Sequence, residues 1–252
     1  MLKNKTVLIT GGMGRIGLTL AKKVVDNGGR VIIVDKDNKV KSYFKNKIDS
    51  DKYLAIKADT CDVKQLKSCI KLSIKHFGGF DVAVHAAYPR SNSWGTKFEN
   101  LKKKFLYEDL SHQLGGAILF SQKVLDYFKS QGHGNLIHIS SIQGVCSPKF
   151  EHYHGTAMVS PIEYSAIKSG IIAITKYLSK YYKNNNIRVN VISPGGILDA
   201  QPKTFLKKYR SSCNDKGMLN MEDLIGTMVF LISEESRYIN GQNIIVDDGW
   251  TL

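Results

Sequence analysis

Two side chains four residues apart, Tyr164 and Lys168, are the sequence's strongest pointer to chemistry. On a helix, positions i and i+4 share one face, so a phenol and an ammonium become neighbours. A free tyrosine titrates near pH 10, and a nearby cation favours its phenolate. A phenol tuned in this way can give or take a proton near neutral pH. Ser160-Pro161-Ile162-Glu163, just upstream, reads as a helix start, with Ser160 as N-cap, Pro161 in the first helical position and Glu163 in the third. Alone, the pair fits an ordinary amphipathic helix surface equally well, and its meaning depends on what accompanies it.

A second constellation lies near the N-terminus, Thr10-Gly11-Gly12-Met13-Gly14-Arg15-Ile16-Gly17. Gly11 permits a tight turn. Gly12, Gly14 and Gly17 let a pyrophosphate approach the backbone where Arg15 and Ile16 open a helix, and the free N–H groups and helix dipole there stabilise negative charge. Asp35 ends the next apolar run, at about the interval for an acid that accepts hydrogen bonds from a ribose 2′-hydroxyl. A carboxylate there repels a 2′-phosphate, which favours NAD over NADP, although Arg15 and Lys36 pull the other way.

These groups need elements to position them. Short, continuous apolar runs at Thr6–Thr10, Val31–Asp35, Tyr53–Lys57, Val82–Ala86, Leu136–Ser140, Val189–Ser193 and Asn243–Asp247 read as strands buried on both faces. Helical periodicity lies between them at 15–28, 62–77, 103–130, 161–183 and 222–233. The alternation predicts an α/β chain with a Rossmann-type, doubly wound, mainly parallel seven-stranded sheet, helices on both faces and a single domain over 1–252. Three long loops, 88–98, 142–160 and 195–217, leave the carboxyl ends of strands, where such sheets bind ligands.

Composition excludes several classes. Apolar residues make up 42%, enough for a real core, yet no run is long enough to span a bilayer. The N-terminus carries no signal-peptide pattern, so the expected location is the cytoplasm. Cys61, Cys69, Cys146 and Cys213 form no metal-ligand spacing, so no metal is expected and the thiols should be reduced. The net charge of +14 comes from lysines spread along the whole chain, without basic runs interleaved with aromatics. It argues for an anionic small molecule rather than nucleic acid.

Taken together, the glycine turn, Ser141 in Ile139-Ser140-Ser141-Ile142-Gln143-Gly144, Tyr164 with Lys168, and Ser193-Pro194-Gly195-Gly196-Ile197 occur in the order of the short-chain dehydrogenase/reductase family. Tyr238–Trp250 is similar to that family's C-terminal strand, so the resemblance spans the chain. It implies that Ser141 hydrogen-bonds the reacting oxygen and Tyr164 transfers the proton. Lys168 would hold the nicotinamide ribose and lower the tyrosine pKa. It also implies that Asp59 and Thr60 contact adenine, that Ala86 and Ala87 border the adenosine, and that Pro194, Gly195 and Ile197 hold the nicotinamide.

The chain departs from the family pattern in several places. Arg15 takes a glycine position, and Gly14 lies one residue earlier. His85-Ala86-Ala87-Tyr88 replaces an Asn-Asn-Ala-Gly stretch. Gln113 stands where a helix asparagine links a water relay to the lysine, which makes it a candidate relay residue. Asp199 lies near the place of a usual threonine. The interval from Ser141 to Tyr164 is longer than usual, so the added residues form part of the stretch 145–160, an insertion on the active-site side.

Ala87–Arg90, the insertion, 195–202 and 240–250 are similar to a branch found among flagellin-modification and nonulosonic acid biosynthesis proteins. That implies a sugar, sugar phosphate or nucleotide sugar as substrate, with a secondary alcohol and a ketone interconverted. Arg90, Lys149 and His152 are the candidate substrate contacts, and Lys203, Lys207 and Lys208 are further cations on the same loops. Family resemblance implies a homodimer or homotetramer joined through 103–130 and 161–183. The competing reading is a cofactor-binding regulator or scaffold with little turnover, suggested by Ala86 and Gln113.

Overall fold

The computed structural model describes residues 1–45 and 47–252. Seven strands, β1 (Thr6–Thr10), β2 (Arg30–Asp35), β3 (Tyr53–Lys57), β4 (Val82–His85), β5 (Gly134–Ile139), β6 (Ile187–Pro194) and β7 (Asn243–Val246), form one sheet in the order β3-β2-β1-β4-β5-β6-β7. Every pairing is parallel. The chain leaves β1 in one direction through β2 and β3, then returns to add β4 on the other side. The crevice between the carboxyl ends of β1 and β4 is therefore the topological switch point where such sheets bind ligands.

Alternation along the strands builds two cores. Val7, Ile9, Val31 and Ile33 face α1 (Arg15–Asp26) and α8 (Met221–Ile232), through side chains such as Leu20 and Met228. Leu8, Ile32 and Leu136 face the opposite way, onto α3 (Val63–Phe77) and α5 (Gly116–Gln131), where Leu66, Phe120 and Phe128 are buried. Successive strand residues point to opposite faces, so runs of uninterrupted apolar residues are what a sheet covered on both sides requires. α6 (Ile162–Tyr181) adds Ile167 and Ile171 against Ala117 and Val191. Among the described residues, no helix is long and apolar enough to cross a membrane.

Four sequence expectations need correction. The segment 103–130 is not one regular helix: α4 (Lys103–Asp109) opens into a π-helical turn at Leu110–Gly115 before α5 begins. Gly115-Gly116, with little intrinsic preference for the α-helix, accommodates that wider turn. The expected loop 195–217 contains α7 (Lys203–Arg210), whose narrow apolar stripe of Phe205 and Tyr209 is hidden among lysines in the sequence. A short helix α2 (Val40–Tyr43) also forms where none was predicted. Finally, α6 starts at Ile162 with Pro161 as N-cap. The Ser160 hydroxyl donates to Gln143 Oε1 at 2.7 Å instead of capping. Glu163, released from the capping role, is buried with both carboxylate oxygens unpaired, and that burial holds its carboxyl above the usual range.

Candidate active site

The glycine turn is shaped by close backbone approach. Gly11 has φ of 65°, and a Cβ there would lie 2.6 Å from the Ala86 carbonyl oxygen. A Cβ on Gly17 would lie 2.3 Å from the Gly11 carbonyl oxygen. Gly14 is the N-cap of α1 and supplies no side-chain cap. The first-turn N–H groups of α1 are thus available to an anion. Asp35, at the end of β2, accepts from Met13 N at 2.8 Å and Asp37 N at 2.9 Å, which ties the turn to the acid.

Arg15 points away from that acid. Its guanidinium donates to the Leu198 carbonyl and pairs with Asp199 at 3.4 Å, across the mouth of the cleft. Asp59 accepts from Cys61 N at 2.8 Å beside buried Thr60, and Ala87 N donates to Thr10 Oγ1 at 3.3 Å. On the far side, Gly195 N donates to Val246 O at 2.8 Å, and a Cβ on Gly195 would lie 2.9 Å from Asp247 Cα. The turn after β6, with Pro194 and Ile197, is thereby held against β7. The glycine turn, with free backbone donors at the start of α1, and the turn after β6 thus flank a groove at the switch point of the sheet.

The groove opens into a cavity of about 450 Å³ whose wall includes Ser141, Tyr164, Lys168, Gln113, Ile16 and Ile197. The structure therefore brings the four residues named for chemistry to one place. Ser141 follows β5 and caps a 3₁₀ turn at Ile142–Gly144, its Oγ accepting from Gln143 N at 3.2 Å. Its neighbour Ser140 is engaged elsewhere, donating to the Lys168 carbonyl at 2.8 Å. Lys168 Nζ donates to Ile139 O at 3.0 Å and lies 5.5 Å from the centre of the Tyr164 ring. It also lies 5.2 Å from the centre of the Tyr88 ring.

Burial sets the titration of this pair. It brings Lys168 down to about 8, because a low-dielectric site disfavours the ammonium. It pushes the Tyr164 phenol up, with the Ser141 hydroxyl pulling the other way. In the chain without cofactor, desolvation of the phenolate is the largest influence on Tyr164.

Gln113 is the second surprise. The π-helical turn carries it into the cavity wall, 4% exposed, with neither amide atom hydrogen-bonded. Beneath it the register places His85 opposite His138 on β4 and β5. His85 Nδ1 is 3.0 Å from Thr10 Oγ1, and His138 Nε2 is 3.1 Å from Ser121 Oγ. Burial, followed by neighbouring charge, holds His85 well below its ordinary value and His138 at about 4, so both rings are neutral at physiological pH.

Substrate-side residues divide sharply. His152 comes from the insertion into the cavity wall, with Nε2 3.0 Å from Ser212 Oγ. Lys149 does not line the cavity; its ammonium donates to the Trp250 carbonyl at 3.0 Å. Arg90 is exposed outside the wall, its guanidinium 5.6 Å from the centre of the Tyr88 ring. Lys203 and Lys207 are also outside it, and Lys208 donates to the Glu151 and His154 carbonyls. The anion grip expected from these cations is absent from the wall because loop geometry turns them to solvent or to carbonyls. Among the described residues, Lys168 is the only Lys or Arg side chain in that wall.

Aromatic residues take their place. Tyr88 and Trp94 meet Tyr164 edge to face, each at 5.9 Å. Tyr153, Phe205, Tyr209 and Trp250 form the opposite wall. Sequence reasoning picked out the segments holding Tyr88 and Trp250 but not these side chains. Their only sequence signal was their aromatic type beside loops at strand ends.

Known proteins are similar to this chain along its length. The family described as Enoyl-(Acyl carrier protein) reductase matches residues 13–251. The chain is 41% identical to post-translational flagellin modification protein A of Campylobacter coli over all of both chains. It is 30% identical to a 7alpha-hydroxysteroid dehydrogenase of Bacteroides fragilis, covering 99% of this chain and 95% of that one. It superposes with a TM-score of 0.87 and 32% identity on a short chain dehydrogenase from Leptospira borgpetersenii with bound NAD+, covering all of this chain and 94% of the other. From the glycine turn to the C-terminal strand, the chain belongs to the short-chain dehydrogenase/reductase family.

Proposed function

We propose that this oxidoreductase interconverts a secondary alcohol and a ketone on a sugar or sugar derivative, using NAD(H). One observation carries the reading: Ser141, Tyr164 and Lys168 line a single cavity beside a glycine-rich groove at the switch point of the sheet. The nicotinamide dinucleotide supplies or accepts the hydride. Gly11, Gly12, Gly14, Ile16 and Gly17 hold its pyrophosphate side through backbone N–H groups and close approach. Asp59, Thr60, Ala86 and Ala87 border the adenosine, while Pro194, Gly195 and Ile197 back the nicotinamide.

Ser141 Oγ hydrogen-bonds the reacting oxygen and fixes the carbon beside it. Tyr164 gives that oxygen a proton in reduction and takes one in oxidation. The Lys168 ammonium holds the ribose and favours the phenolate as the proton leaves. Gln113 extends the polar path behind Lys168. Asp35 favours a free 2′-hydroxyl, and the engagement of Arg15 with Asp199 leaves that cation unavailable to a 2′-phosphate.

Kinship with a flagellin modification protein supports a role in flagellin modification, and the sequence resemblance to the nonulosonic acid branch supports a sugar. The cavity wall supports recognition of a neutral ring rather than a phosphate. The kinship with a hydroxysteroid dehydrogenase, with the aromatic wall, makes a hydroxysteroid the second candidate. The test is turnover of neutral sugars, nucleotide sugars and hydroxysteroids with NAD(H) and with NADP(H), for wild type and Tyr164→Phe. The expected result is NAD-linked turnover of a sugar that the variant lacks. Wild-type and Tyr164→Phe rates that agree would overturn the proton-transfer assignment.

A further inference from the structure

Trp250 is 3% exposed, yet it contributes to the cavity wall, and its indole Nε1 is buried without a hydrogen-bond partner. Such orphaned donors are uncommon and costly to the folded state, so one retained at a cavity wall calls for an acceptor that arrives there. The indole is also rigidly placed. Its ring stacks on Tyr209 at 5.7 Å with 19° between planes, and Lys149 Nζ sits 4.6 Å over it. Asp247 anchors the tail on both sides, accepting from Gly249 N at 3.0 Å and Thr251 N at 2.8 Å. Tyr209 in turn accepts from Gly196 N at 2.6 Å, which joins this platform to the turn after β6.

We propose that Trp250 Nε1 is a substrate-specificity donor, binding a neutral oxygen of the substrate other than the oxygen that reacts. An indole N–H can only donate, so the group it selects is an acceptor. That acceptor is neutral: the Lys149 ammonium is turned to the Trp250 carbonyl, and burial lowers the basicity of His152 beside the ring. A single-oxygen alcohol satisfies Ser141 and Tyr164 but leaves the indole unpaired. A ring bearing a second hydroxyl or carbonyl satisfies both ends of the cavity. The inference rests on the proposed roles of Ser141 and Tyr164 for where the reacting oxygen sits, but not on the ring being a sugar.

The chain has two tryptophans, so a ¹⁵N spectrum carries two indole N–H signals, and Trp250→Phe identifies one of them. The probes are D-glucose, D-galactose, UDP-galactose, cholic acid and cyclohexanol, each titrated as an alcohol into wild-type protein saturated with NADH. Such complexes do not turn over. The Trp250 signal is expected to move downfield with at least one sugar and not with cyclohexanol. In NAD⁺-linked oxidation, Trp250→Phe should lower kcat/KM for that sugar about tenfold more than for cyclohexanol, the span of a single hydrogen bond.

A signal unmoved by every probe overturns the proposal, as does one moved equally by cyclohexanol. Movement with cholic acid and with no sugar keeps the Trp250 donor and removes the sugar from the proposed function. If Trp250→Phe does not fold, the wild-type titration still decides, because the Trp94 signal is identified by Trp94→Phe.

Discussion

Arg15 and Asp199 join the first turn of α1 to the loop after β6 by an ion pair of 3.4 Å across the mouth of the dinucleotide groove. Both side chains are substantially exposed, 49% and 67%, so the pair contributes at most about 1 kcal/mol. Its importance is directional, because it fixes where a cation beside the pyrophosphate site points. Asp199→Asn removes the ionic half of that hold and leaves the hydrogen bond to the Leu198 carbonyl. KM for NADP(H) should then fall roughly twofold to fivefold while KM for NAD(H) moves less, the range an exposed pair of this kind allows. The gain should vanish in 0.5 M salt, since exposed pairs are screened. An NADP(H) gain that persists in high salt would place the effect in loop packing instead.

The titration of Lys168 gives a pH profile. Burial lowers its folded pKa to about 8 from an ordinary 10.5. Between those values the unfolded chain binds more protons than the folded one, so this residue's contribution to stability rises with pH across that window and is least below about pH 8. In the proposed role of Lys168, cofactor binding runs the other way, because it needs the ammonium. KM for NAD(H) should be flat up to about pH 8 and climb above it. Lys168→Arg, which stays charged, should bind weakly at every pH but show no such climb. A wild-type profile flat to pH 10 would separate Lys168 from the ribose.

Which parts of this site were legible beforehand follows from what sequence pattern encodes. The strands and the glycine turn were readable because burial on both faces demands unbroken apolar runs, and because Gly11 and Gly17 sit where no Cβ fits. Ser141 is chosen over Ser140 on the family's spacing, and Ser140 donates to the Lys168 carbonyl while Ser141 sits beside the Tyr164 hydroxyl. The π-helical turn at Gln113 was invisible, because one widened turn leaves the apolar periodicity on either side intact. The directions of Arg90 and Lys149 were illegible for a different reason. A long cation on a loop goes wherever a carbonyl or solvent offers more than the cavity does, and Lys149 found the carbonyl of Trp250, a hundred residues away in the chain.

Arg188 tests stability without touching the site. From the amino end of β6, its guanidinium donates to the carbonyls of Ser236 at 2.9 Å, Ile239 at 3.2 Å, Leu231 at 3.3 Å and Ser233 at 3.4 Å. One of these carbonyls, Leu231, lies in the last turn of α8, and Ser233 is the helix C-cap. Arg188→Ala removes four charged hydrogen bonds while each carbonyl keeps a second donor, from Asn135, Ser236, Ile239 N or Asn190, and should cost about 2–4 kcal/mol, by the worth of charged hydrogen bonds. For a chain of this size that is a Tm lower by roughly 5–15 °C. Arg188→Lys should recover only part of the loss, since an ammonium cannot span the fork. Because the site lies at the other end of the sheet, kcat at a temperature below both transitions should stay within about twofold, by the near-independence of distant sites.

Gln113 should show stability and activity moving in opposite directions. Its amide is buried with no partner for either atom, which is a cost to the folded state that a side chain of similar shape without polar atoms would remove. Gln113→Leu is therefore expected to raise Tm by about 2–4 °C, the equivalent of roughly 1 kcal/mol in a chain of this length. The same change removes an amide from the cavity wall that Lys168 also lines, on the proposed proton path. Kcat should fall by a factor of ten or more, in the range of lost proton-transfer assistance, and by less for Gln113→Asn, which keeps the amide one methylene back. Opposite signs for Tm and kcat would mark a group kept for function against the preference of the fold. A Gln113→Leu enzyme that loses Tm and kcat together would instead make Gln113 a support for the π-helical turn.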